Sequence, residues 1–175
     1  MNISLLLIAT AIAGLQANGK PDDWFWSEDQ ATLTQSMMEV KKPFVASLRA
    51  VDRAQLLEIS EGTRIAASVP THRYSVFLIK DARLFVADFP YMSSGCAVEC
   101  FDLKRGKSLW RSDLKALGPI SHSKYYNRVL MRFEGSSLVV YGKESAGRYR
   151  ETLDTKSGKT LENKIYQKLV PKSLD

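Results

Sequence analysis

The chain has 175 residues, with 25 basic and 19 acidic side chains and a formal net charge of +6 at pH 7. That length suffices for one domain with its own core. No run of basic residues resembles a nucleic-acid-binding arm, which excludes that partner class, and no apolar stretch beyond the N-terminus is long enough to span a bilayer.

Residues 1–17 read as a signal peptide. Residues 2–15 are uncharged and mostly apolar, with a dense run over Leu5–Ile8, and Ala13, Gly14 and Ala17 supply small residues for cleavage. No Lys or Arg precedes that run, so the free amino terminus carries the only positive charge there. The expectation is export, to a periplasm or to the medium. A retained anchor or a buried first helix is the alternative. No cysteine follows the run to accept a lipid.

Residues 18–62 read as an aromatic and helical N-terminal segment. Trp24, Phe25 and Trp26 form a short edge strand or a plug over the core. Ser27, Glu28 and Asp29 are cap signals for a helix through Met38, limited by Pro43. Phe44, Val45, Leu48 and Val51 then recur at helical spacing. One or two short helices are expected here, or a helix followed by a strand.

Residues 63–170 read as a β domain. Residues 64–67, 74–79, 84–89 and 96–101 have strand character, separated by Pro70, a Lys80-Asp81 turn and a loop over 91–95. Residues 111–127 form a linker rich in turn makers. Val129, Met131 and Phe133 then alternate with Leu130 and Arg132 as in a half-buried strand. Glu134-Gly135-Ser136-Ser137 turns the chain, residues 138–141 return it, and strands over 148–153 and 161–169 follow.

One pattern occurs twice. Asp102, Gly106, Lys107 and Leu109 reappear as Asp154, Gly158, Lys159 and Leu161, each 52 residues on. Each aspartate closes a strand and caps a turn, and each glycine takes a left-handed turn position. Trp110 begins the return strand as a core anchor present in one copy only. The fold class expected is mainly β: antiparallel meanders of two propeller-blade-like repeats, about 74–110 and 128–168. Propellers typically need about four blades or more to close a ring. The sheets are therefore expected to form an incomplete propeller, a sandwich or a partial barrel, with a short helical N-terminal segment.

Asp102, Gly106, Lys107, Leu109 and Trp110 together resemble the pyrroloquinoline-quinone-type (PQQ-like) propeller repeat: a strand ending in Asp, a Ser/Thr-Gly-Lys turn, and a strand beginning near Trp. Asp154, Ser157, Gly158, Lys159 and Leu161 match it again, with Glu162 where the Trp would stand. The resemblance covers roughly residues 74–168 and extends to small exported bacterial hypothetical proteins carrying such repeats. It implies blade architecture. Quinoprotein dehydrogenases use these repeats, and so do non-enzymatic assembly scaffolds. The dehydrogenases hold quinone and metal at the centre of a full ring, which this chain is too short to build, so no cofactor is expected.

The residues with chemical potential are few. His122, Lys124, Tyr125 and Arg128 form a polar stretch suited to a polar or anionic ligand, and Lys143 and Arg148 flank a glycine-bounded loop that gives a second basic patch. A hydrolase centred on His122 is the alternative reading. It would need a hydroxyl and a carboxylate brought to the ring in space, and no Gly-x-Ser-x-Gly elbow is present. Asp102 and Asp154 cap their own turns. His72, after Pro70, takes a surface role. Two histidines and two cysteines, dispersed as they are, give no metal spacing. On a regular strand Cys96 and Cys100 would stand roughly 13 Å apart at ~3.3 Å per residue, too far for a disulfide, so two buried free thiols are expected. Together these features point to an exported, non-catalytic binding or protein-interaction module, with a protein or an anionic ligand as partner. The basic excess supports the anion: residues 1–80 balance at eight and eight, whereas 81–175 carry 17 basic and 11 acidic groups.

Overall fold

A computed structural model describes residues 33–51, 54–72, 75–88, 96–114, 128–144 and 147–168. The expected leader over 1–17, the Trp24–Trp26 stretch and most of the 111–127 linker lie outside the described residues. The described chain is mainly β, in three antiparallel meanders with no closed barrel among them. A short helix, α1 (Leu33–Met38), precedes them. The N-terminal sheet joins β1 (Phe44–Val51), β2 (Ala54–Glu61) and β3 (Arg64–Thr71). The middle sheet joins β4 (Val76–Lys80), β5 (Arg83–Asp88), β6 (Ala97–Asp102) and β7 (Lys107–Asp113). The C-terminal sheet joins β8 (Arg128–Glu134), β9 (Ser137–Glu144), β10 (Gly147–Asp154) and β11 (Thr160–Lys168).

The helical reading of Phe44 to Val51 is corrected. These residues form β1, paired along its whole length with β2, from Phe44↔Glu61 to Val51↔Ala54. The spacing misleads because four is an even number. Phe44 and Leu48 share a face at period 2 as well as at period 3.6. Phe44, Ala46 and Leu48 turn half inward, while Val45, Ser47 and Arg49 face water. Only a partner strand could decide between the two periods.

The middle sheet is covered on both faces. Phe77, Leu84 and Val86 pack with Leu57, Ile59, Ala66 and Val69 of the N-terminal sheet. Val76, Phe85, Ala87, Val98 and Cys100 pack with Val129, Met131, Leu138, Val140 and Leu153 of the C-terminal sheet. This explains why β4 and β5 read as nearly continuous apolar runs: a strand buried on both faces has no polar side to alternate with. The exposed edge of β4 is met by α1. The Phe77 N–H donates to the Ser36 hydroxyl at 3.2 Å, and Ser36 is itself buried. A backbone donor that could template another strand is thereby satisfied.

The two repeated turns have the same local geometry. Asp102 Oδ1 accepts the N–H groups of Lys104 and Arg105 at 2.9 and 3.1 Å, and Asp154 Oδ1 accepts those of Lys156 and Ser157 at 3.2 and 2.8 Å. Gly106 and Gly158 each donate to the carbonyl of their aspartate at 2.8 Å, with φ of 64° and 71°. The repeated leucines play a different part from core residues. Pairing steps from Cys100↔Trp110 to Phe101↔Ser108, and from Thr152↔Glu162 to Leu153↔Thr160. Leu109 and Leu161 are thus skipped as β-bulges, and both are exposed.

Candidate functional site

Three contacts align the middle and C-terminal sheets. Lys80 Nζ donates to the Gly135 carbonyl at 3.1 Å, and Arg83 and the Trp110 indole N–H both donate to the Thr155 carbonyl, at 3.4 and 3.3 Å. The tight turns of the two sheets therefore lie at one end. At the other end the meanders place the start of β8, the end of β9 and the start of β10.

The backbone register brings three of the sequence-predicted residues together at that end. Arg128 pairs with Lys143, and Lys143 pairs with Arg148. Three basic positions on successive strands, drawn from the linker end and from the glycine-bounded loop, thus share one row. His122, Lys124 and Tyr125 lie outside the described residues. They precede Arg128 in the sequence by six, four and three positions.

The same end of the middle sheet holds a group that sequence reasoning did not assemble. His72 Nδ1 lies 2.9 Å from Asp88 Oδ1, and the Ser75 hydroxyl donates to the same oxygen at 2.7 Å. The Ser75 oxygen in turn accepts the His72 backbone N–H at 2.9 Å. Histidine, serine and aspartate are all present, but in the wrong order for nucleophilic catalysis. A hydrolytic triad places the ring between hydroxyl and carboxylate. Here the carboxylate stands between ring and hydroxyl, and Ser75 is fully buried. The arrangement clamps the β3–β4 connection to the end of β5. No local motif announces it, because Asp88 reaches His72 only once β4 and β5 have paired.

Other polar groups lie in the core and on the outer face of the C-terminal sheet. Cys96 and Cys100 are free, buried thiols. Desolvation pushes the Cys96 thiol far up, helped by the Asp88 and Glu151 charges, and pushes Cys100 up to about 11. Both are protonated and inert at neutral pH. Glu151 is buried beneath the C-terminal sheet and accepts the Thr160 hydroxyl at 2.7 Å. On the opposite face, Glu134 bridges Arg132 and Arg150, and Arg150 reaches Glu162 at 3.0 Å. Both guanidinium groups lie near the Tyr141 ring, at 5.4 and 5.9 Å. Among the described residues, no three His, Cys, Asp or Glu side chains converge to hold a metal ion, and no helix is long and apolar enough to cross a membrane. No protein-family model matches the chain, and no curated protein matches it.

Proposed function

We propose that the protein is an exported, non-catalytic binding module that engages an anionic partner at the end of its C-terminal sheet where β8 begins. One observation carries this reading: strand register sets Arg128, Lys143 and Arg148 in a single row. The basic excess of the second half of the chain supports it, since a surface rich in one sign of charge raises local counter-ion concentration and association rate. The three stacked meanders serve as the scaffold, in line with the PQQ-like repeat read as architecture. His122, Lys124 and Tyr125 are the adjoining contacts in this reading. The hydrolase alternative rested on His122, and no observation favours it.

Retention on immobilised heparin, used as a generic polyanion, tests the reading. The combined variant Arg128→Gln, Lys143→Gln, Arg148→Gln should elute at clearly lower salt than the parent protein, because each lost ionic contact reduces the salt dependence. Circular dichroism checks that the fold is kept. Equal elution of a folded triple variant overturns the proposal. Export is tested by the N-terminal sequence of the protein recovered from its native cells: cleavage near Ala17 supports it, and an intact Met1 refutes it.

A further inference from the structure

At the opposite end, between the tight turns of the middle and C-terminal sheets, lies a cleft of about 530 Å³. That volume falls within the range that holds a small organic ligand. Its apolar wall is Phe85 and Phe133, packed edge to face with centroids 5.2 Å apart. Its rim carries three cations, Lys80, Arg83 and Lys156, against one carboxylate, Asp81.

Among the arginines whose side chains are described, Arg83 stands apart. Arg49, Arg64, Arg105, Arg111, Arg132 and Arg150 each meet a carboxylate. Among the described residues, Arg83 donates to the Thr155 carbonyl, at a long 3.4 Å, and meets no carboxylate. Asp102 stands directly opposite it across β5 and β6, but that carboxylate is committed to the amides of Lys104 and Arg105. Lys80 donates to the Gly135 carbonyl and lies 4.8 Å over the Phe133 ring. A half-buried guanidinium with unused donors, beside an aromatic wall, is the chemistry that recognises a planar anion.

The cleft mouth also carries backbone strain. The β2–β3 and β8–β9 turns use Gly62 and Gly135 at positive φ, whereas the β4–β5 turn holds Asp81 and Ala82 at φ of 52° and 54°. The Leu103 N–H pins this conformation by donating to the Ala82 carbonyl at 2.9 Å. An alanine is disfavoured in the left-handed region, and such strain collects where surrounding structure demands it.

We infer that this cleft binds a small organic anion: a phosphate or carboxylate group joined to a flat apolar ring. The ring lies against Phe133, and the anionic group meets Arg83, with Lys80 and Lys156 closing around it. The site is remote from the Arg128–Lys143–Arg148 row and does not depend on it.

Phenyl phosphate is the probe, followed by amide chemical shifts in a proton–nitrogen NMR titration. Shifts should concentrate at Gly135, Ser136 and Lys156. Inorganic phosphate and neutral phenol should each bind at least about tenfold more weakly, since each lacks half of the recognition chemistry. Arg83→Gln should weaken phenyl phosphate about tenfold, the scale of a lost charge-assisted hydrogen bond. Lys156→Gln is an exposed change that leaves the fold intact, and it should weaken binding by a smaller factor. The inference is overturned by shifts that are absent or scattered, by inorganic phosphate binding as tightly as phenyl phosphate, or by a folded Lys156→Gln variant with unchanged affinity.

Discussion

The two Asp-Gly turns are alike in sequence and in hydrogen bonding, and unlike in weight. Gly106 is exposed and Gly158 is buried. A Cβ at Gly106 would come 3.3 Å from the Ala66 carbonyl oxygen, a tight approach that a small shift relieves. A Cβ at Gly158 would fall 2.6 Å from Cδ2 of Trp110, within the body of the indole. The tryptophan of the first copy thus covers the turn of the second. Its register partner is Cys100, so it shares the face of the middle sheet that looks toward the C-terminal sheet. Glu162 occupies the equivalent place in the second copy and pairs across to Thr152. That face bears the salt-bridged group around Tyr141 rather than another described sheet, and Glu162 joins it through Arg150. The Trp-to-Glu departure from the repeat therefore has a physical reason. An aromatic anchor is useful where a following turn must dock, and a charge is suitable where the stack ends in polar chemistry.

Substitution at the glycines tests this difference most directly. Gly158→Ala should cost about 3 kcal/mol, combining left-handed strain of about 1–2 kcal/mol with overpacking against Trp110. Gly106→Ala should cost about 1–2 kcal/mol, close to the strain alone. Equal losses in urea denaturation would show that Trp110 does not seat on the second turn. Trp110→Ala should cost about 3 kcal/mol, at the lower end for tryptophan because the ring is only half-buried. Combined with Gly158→Ala, the losses should be clearly less than additive, because the clash disappears with the ring.

The aspartates sharpen the comparison through pH. The Ser157 hydroxyl and amide hold the Asp154 carboxyl below its ordinary value, with the Lys156 amide and charge adding to the effect. A carboxyl whose folded value is depressed contributes stability that is present above the unfolded value. That contribution is lost as pH falls through the folded one. Stability should therefore decline on acidification below the ordinary aspartate range, and Asp154→Asn should flatten that decline. An unchanged acid limb in the variant would remove Asp154 from the account. The smallest effect is expected at the thiols. Cys96 and Cys100, buried and held protonated, should resist iodoacetamide in the native protein at mildly alkaline pH and react fully in denaturant. Native labelling would show that the interface between the middle and C-terminal sheets opens.

What sequence alone could determine here is what local chemistry decides. The Asp102–Gly106 and Asp154–Gly158 turns are legible because a short acidic side chain reaches amides two and three residues on, and because glycine tolerates positive φ. The mainly β character is legible from runs such as Val76–Lys80 and from the alternation of Val129, Met131 and Phe133. Tertiary structure decided everything that depends on a partner. Phe44 and Leu48 fit two periods, and only pairing with β2 made them strand. Leu109 and Leu161 look like core leucines, but a bulge turns them to solvent, because one-residue steps in register are set by the opposing strand. The candidate sites divide in the same way. Lys143 and Arg148 stand out in sequence as flanks of one loop, but their row with Arg128 exists only once β8, β9 and β10 are aligned. Asp88 reaches His72, and Arg83 loses Asp102 to a turn, for the same reason: charge pairing acts through space, and the strands decide which charges share it.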